Sequence, residues 1–211
     1  VVFVSGGDIW KAPVSGGEAV RLTLHDGEEL YPRISPCGKW VAFTGEYDGN
    51  ADVYVMNIYG GKITRVSWHP SHDQVLGWHA DSGRILFVSG RYSYSRFQRL
   101  YLIKPDGTDL EELPMPEAGT GSFSPDGAHI AYNKPRREDR TWKRYRGGLA
   151  QEIYIFNLQT LEEKNISGYE GTDRAPMWIK DKVYFVSDRD GVLNIFSYNI
   201  PDGKTEQVTH H

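Results

Sequence analysis

Apolar residues along this chain come in short runs broken by Gly, Pro, Asn and Asp. Trp40-Val41-Ala42-Phe43, Val53-Tyr54-Val55-Met56 and Lys182-Val183-Tyr184-Phe185-Val186 are typical. No stretch keeps apolar residues at i, i+3, i+4 and i+7 over three turns, so the pattern predicts many short strands and almost no helix. The runs also repeat. The triplets Asp8-Ile9-Trp10, Asp52-Val53-Tyr54, Arg99-Leu100-Tyr101, Glu152-Ile153-Tyr154 and Asn194-Ile195-Phe196 follow one another at spacings of 44, 47, 53 and 42 residues. A second marker keeps those spacings, in Leu22-Thr23, Val66-Ser67, Leu113-Pro114, Ile166-Ser167 and Val208-Thr209. A third precedes the inner turn, in Ser35-Pro36-Cys37-Gly38, Ala80-Asp81-Ser82-Gly83 and Ser124-Pro125-Asp126-Gly127.

Each unit reads as four strands, A to D. In the second, A runs up to Ile34, B covers Trp40 to Thr44, C covers Asp52 to Ile58, and D ends near Val66. Four-stranded units of about 40 to 50 residues are the mark of propeller blades. The fold expected is therefore an all-β propeller of four-stranded antiparallel blades, in one domain over residues 1–211. Its units span about 1–26, 27–72, 73–117, 118–172 and 173–211, and the first lacks its strand A. About five blades of a six-bladed ring are accounted for, and the two open ends are expected to self-associate.

Composition agrees with strands joined by turns: 13% of the 211 residues are aromatic, with 23 Gly and 11 Pro. No apolar run approaches the roughly 18 residues that cross a bilayer, so no membrane contact is expected. Val1-Val2-Phe3-Val4 reads as a strand without a charged leader, which suggests a chain that begins inside its fold. The single Cys, Cys37, excludes an internal disulfide and a Cys-rich metal site. It suits a reducing, cytoplasmic compartment, with the periplasm as the alternative.

Catalytic residues are not expected. There is no Gly-x-Ser-x-Gly elbow, and Cys37 lies in a turn with no assignable base. His69, His72 and His79, near Asp73 and Asp81, read as loop histidines rather than a zinc set, and no metal or cofactor is expected. Asp188-Arg189-Asp190-Gly191 lacks the further oxygen ligands of a calcium loop and reads as a hairpin turn.

The strongest site signal is charge. Net charge is −4, from 24 Lys and Arg against 28 Asp and Glu. Yet the long B-to-C loop of the fourth unit carries Lys134, Arg136, Arg137, Arg140, Lys143, Arg144 and Arg146 against Glu138 and Asp139, a local +5, with Trp142 and Tyr145 interleaved. The third unit's B-to-C loop adds Arg91 and Arg96 with Tyr92, Tyr94 and Phe97. In a propeller such loops emerge on one face, so these groups form one candidate binding face. Clustered Arg beside aromatic rings suits carboxylates and phosphates. The partner could be a peptide terminus, an acidic protein surface or nucleic acid, the last disfavoured by the acidic composition, and a solvated or internally paired loop is the alternative.

The blade pattern of Ser124-Pro125-Asp126-Gly127-Ala128-His129-Ile130-Ala131-Tyr132 and Val186-Ser187-Asp188-Arg189-Asp190-Gly191 resembles the repeats of tricorn proteases, the Tol-system propeller and prolyl oligopeptidase relatives. Trp142-Lys143-Arg144-Tyr145-Arg146-Gly147-Gly148 and the opening Val1 to Trp10 are similar to the first, six-bladed propeller of tricorn-type serine proteases, along the whole chain. That resemblance implies a non-catalytic propeller that filters substrate and product, with basic groups that hold a peptide's C-terminal carboxylate. Its partners would be peptides and the remaining domains of a protease. A matching Arg pair after the second blade is missing: the segment reads Trp68-His69-Pro70-Ser71-His72-Asp73. A free-standing Tol-like interaction module and the cap of a prolyl oligopeptidase relative are the alternatives.

Overall fold

The computed structural model describes residues 1–80, 83–93, 97–134, 145–148 and 150–211. Among them there are strands and turns and no helix. A three-stranded sheet comes first: β1 (Val2–Ser5), β2 (Asp8–Lys11) and β3 (Val20–Arg21). Four four-stranded sheets follow, each an antiparallel meander in chain order. They are β4 (Glu29–Ile34), β5 (Trp40–Gly45), β6 (Asp52–Asn57) and β7 (Thr64–Arg65); then β8 (Asp73–Trp78), β9 (Ile85–Ser89), β10 (Arg99–Ile103) and β11 (Glu111–Glu112). The last two are β12 (Thr120–Phe123), β13 (His129–Asn133), β14 (Ile153–Asn157) and β15 (Glu163–Asn165), and β16 (Asp173–Ile179), β17 (Lys182–Ser187), β18 (Asn194–Asn199) and β19 (Thr205–Gln207). These are the expected blades, with strand A missing from the first. The chain falls into two compact units, Val1–Leu113 with blades one to three and Pro114–His211 with blades four and five.

Within each unit the blades pack face to face, which explains why inner strands read as continuous apolar runs. Alternate side chains of a strand point to opposite faces. On blade two Val41, Phe43, Tyr54 and Met56 pack with Ile9, Val2 and Leu22 of blade one. Their neighbours Ala42, Val53 and Val55 pack with Val75, Ile85, Phe87 and Tyr101 of blade three. In the second unit Ala131, Ile153 and Ile166 of blade four meet Val183, Phe185, Phe196 and Tyr198 of blade five. The other face of blade five stays open, leaving Met177, Ile179 and Ile195 at 52, 48 and 38% exposure.

Two polar pins repeat with the blades. The first residue of strand C, or in blade four the one just before it, pairs with a strand D residue thirteen positions on: Asp8 with Arg21, Asp52 with Arg65 at 2.6 Å, and Glu152 with Asn165 at 2.9 Å. Blade three reverses the charges, Arg99 pairing with Glu112. A hydroxyl two residues further on accepts the next backbone N–H of strand C. Thr23 takes Ile9 N–H at 2.8 Å, Ser67 takes Val53 at 2.9 Å, Ser167 takes Ile153 at 2.7 Å and Thr209 takes Ile195 at 2.9 Å. Pro114 stands at this position in blade three, where the two units divide.

A buried donor left without its acceptor costs about 1–3 kcal/mol. Ser167→Ala should therefore lower unfolding free energy by about that much in urea titration, and Ser167→Thr, which copies blades one and five, should restore most of it. An alanine variant as stable as the parent would contradict the role of the pin.

Candidate functional site

The residues at the tops of strands A and B build the loop-bearing end of each blade. Asp73 opens strand A of blade three and is wholly buried; the Arg91 guanidinium, two residues past strand B, donates to it. Ser89 Oγ accepts from Arg91 N at 3.0 Å and Nε at 3.1 Å, and the guanidinium lies over Phe87 and Tyr101. Blade five repeats this clasp. Arg189 Nη2 donates to buried Asp173 at 2.7 Å and Nε to Ser187 Oγ at 2.9 Å, and the guanidinium covers Phe185 and Phe196. Burial raises the pKa of both aspartates, and the neighbouring serine hydroxyls and the arginine oppose the rise.

Blade two carries Glu29, wholly buried, at the acid position, and Tyr47 where the arginine would be. Among the described residues no cation forms an ion pair with Glu29. Its Oε2 accepts from Thr23 Oγ1 at 3.0 Å. Burial raises its pKa, the Tyr47 and Thr23 hydroxyls partly offset this, and Asp8 adds to the rise. In blade four Gly119 precedes Thr120, the partner of Asn133, and so takes the acid's place in the register. There Asn133 ties neighbouring blades together, with Nδ2 donating to Asp173 O at 2.9 Å and Oδ1 accepting Ala175 N–H at 3.1 Å.

The structure distributes the sequence-predicted face unevenly. Arg91 is 4% exposed and committed to Asp73, so it is a blade-holding group instead of an outward one. Tyr92 is 76% exposed, with φ at 56°. Lys134, counted in the basic loop, pairs with Glu163 at 2.6 Å and lies over Tyr154. Tyr94, Arg96, Arg136, Arg137, Arg140, Trp142, Lys143 and Arg144 lie outside the described residues, as does Asp81. Tyr145 is half-buried and Arg146 is exposed. His69 Nδ1 accepts the Ser71 N–H at 3.1 Å, and among the described residues no three His, Cys, Asp or Glu side chains converge on a metal-sized site. Asp188 to Gly191 form a turn closed by Gly191 N–H to Asp188 O at 2.9 Å.

Arg146, Gly147, Gly148, Glu152, Tyr169 and Glu170 line a cavity of about 420 Å³ in the second unit. Tyr169 was not marked by the sequence reading. Its ring centre lies 5.0 Å from the Arg146 guanidinium and 5.1 Å from that of Arg189. The cavity's cation is thus stacked on a ring that the blade-five clasp also touches. Aligning the units on their hydroxyl residues would have found it, since His25, His69 and Tyr169 all stand two residues past that hydroxyl.

Residues 1–211 match the family described as the tricorn protease N-terminal beta propeller domain. The chain belongs to that family. It is 34% identical over 208 residues to tricorn protease homolog 1 of Streptomyces coelicolor, covering 96% of this chain and 19% of that protein. It is 28% identical over 214 residues to a TolB homolog of Chlorobium luteolum, covering 96% of this chain and 45% of that protein. The crystal structure of the tricorn protease superposes on all of the chain with a TM-score of 0.85 at 24% identity, covering 21% of that molecule, which makes the fold a β-propeller. The tricorn-type propeller chain therefore spans about a fifth of the length of the tricorn relative it matches. No helix among the described residues is long and apolar enough to cross a membrane.

The unpaired acid of blade two gives a pH dependence. A carboxyl raised above its ordinary value of 4.5 binds more protons folded than unfolded above that pH, so its contribution to stability falls as pH rises from 4.5 to the raised pKa and is absent beyond it. Glu29→Gln should leave stability near pH 4 little changed and raise it relative to the parent at pH 8, as read from thermal melts across that range. An unaltered pH profile would contradict the upward shift of the Glu29 pKa.

Proposed function

We propose that the chain is the non-catalytic propeller portion of a tricorn-like serine protease, gating passage of substrate and product peptides and assembling with the protease's remaining domains. Hydrolysis then belongs to parts of the relatives outside the matched fifth. The single observation that carries the binding role is Arg146, exposed at a cavity of about 420 Å³ and stacked on Tyr169. The charge of the surrounding loop supports it. So does Gly119, because blade four lacks the carboxylate that engages Arg91 in blade three and Arg189 in blade five, and Arg136 stands at the matching sequence position. Arginine presents paired donors that fit a carboxylate, the group at a peptide's C-terminus.

Replacing Arg136, Arg137, Arg140, Lys143, Arg144 and Arg146 with Ser should weaken free-acid peptides far more than their C-terminal amides, each lost charge-assisted contact costing roughly 1.5–3 kcal/mol. Calorimetric titration of acid and amide pairs against both proteins reads this out. Equal, weak binding of acid and amide, unchanged by the substitutions, would overturn the carboxylate role and leave the loop to domain docking. The open face with Met177, Ile179 and Ile195 supports a second part of the proposal, self-association of the isolated chain. Sedimentation should then depend on concentration, and Ile195→Lys should reduce that dependence. A monomer at every concentration would contradict it.

A further inference from the structure

An exposed aromatic surface in the first unit adjoins a cluster of two carboxylates and one arginine. Trp68 follows the pinning hydroxyl of Ser67 and is 74% exposed. Its indole lies against the Arg65 guanidinium, with Cζ 4.1 Å from the ring. Arg65 has little freedom. Its Nε donates to Ser67 O at 3.1 Å, Nη1 to Asp48 at 2.8 Å and Nη2 to Asp52 at 2.6 Å. A guanidinium fixed by three acceptors holds the indole in one orientation while most of the ring stays in water.

Next in the chain stands His69, whose ring is 5.8 Å from that of Tyr92. The histidine is itself anchored, its Nδ1 accepting from Ser71 N and its carbonyl accepting from Asn50 Nδ2 at 2.8 Å. Tyr92 is 76% exposed on a left-handed backbone, φ 56°, a conformation unfavourable for a residue with a Cβ. Trp68 is thus held outward on an anchored guanidinium, an arrangement that loses little side-chain entropy on binding, and Tyr92 presents a second exposed ring beside the anchored His69. Charge selects the ligand. Asp48, with its side chain 68% exposed, and Asp52 both pair with Arg65, so among the described residues this cluster beside Trp68 holds one more carboxylate than cations.

Aromatic faces beside an unbalanced carboxylate attract cations and repel carboxylates and phosphates. We propose that Trp68 and Tyr92 form a docking surface for the Lys or Arg side chains of an extended peptide segment, with Asp48 as the charge complement. This surface does not depend on the basic-loop reading, since the two take opposite charges and are altered by separate substitutions.

The test titrates the isotope-labelled chain with an acetylated, amidated Gly-Ser peptide bearing two arginines, and with its citrulline counterpart, which keeps the shape and removes the charge. The arginine peptide should shift the Trp68 indole N–H resonance and bind at least about 5-fold more tightly than the citrulline peptide. Trp68→Ala and Asp48→Asn should each weaken it by about 5-fold, Trp68→Phe by less, and added salt should weaken it further. The arginine–citrulline comparison needs no variant and so stands even if Trp68→Ala fails to fold. Equal affinity for the two peptides would overturn the proposal, as would arginine binding untouched by Trp68→Phe, Tyr92→Ala and Asp48→Asn. So would self-association lost in Trp68→Phe without peptide binding, which would give the surface to a second copy.

Discussion

A carboxylate buried at the opening of strand A is the constraint around which the blade ends are arranged. A charge buried at the inner corner of a blade is cut off from water and has to be balanced by the protein. Blades three and five balance it with an arginine two residues beyond strand B, oriented by the serine that ends that strand. That arginine then becomes part of the core, lying over Phe87 and Tyr101 in one blade and Phe185 and Phe196 in the other. Among the described residues the acid of blade two pairs with no cation and accepts from the Thr23 hydroxyl; blade four has Gly119 in the acid's place. Variation at one register position thus separates the blades closed by an Asp–Arg clasp from those that are not.

Surface chemistry follows from that arrangement. Arg189 satisfies Asp173 on one side and touches Tyr169 on the other, and Tyr169 meets Arg146 at the cavity. In the first unit the strand C to strand D pair plays the corresponding part, since Arg65 bridges Asp52 and Asp48 and supports Trp68. In both places a buried ion pair extends outward through an arginine–aromatic contact to a group that faces solvent. One such place presents a cation and the other an aromatic ring beside two carboxylates.

The architecture was legible because its determinants are local and periodic. The Asp-Ile-Trp type triplet marks strand C, the Leu-Thr type dipeptide marks the pin, and their common spacing gives blade number and strand order. The continuous apolar run of blade two was legible too, because its inner strands meet blade one on one side and blade three on the other. Arg91 was misjudged for a physical reason. Counting charges along a loop weights neighbours in sequence, whereas Asp73 lies 18 positions away and meets Arg91 only once strands A and B pair. Tyr169 escaped notice similarly, because a lone Tyr in a connection has no local signature until its stacking on Arg146 and Arg189 is seen.

The most direct measurement is a double-mutant cycle on the blade-five clasp, using Asp173→Asn, Arg189→Met and the pair, with unfolding free energies from urea titration. If the arginine is there to balance the buried carboxylate, Arg189→Met alone should be strongly destabilising, by about 3–5 kcal/mol, because it strands the charge. Adding Asp173→Asn should recover part of that loss, giving a coupling of about 0.5–3 kcal/mol. Strictly additive effects of the two substitutions would contradict the clasp as the constraint on which the blade ends depend.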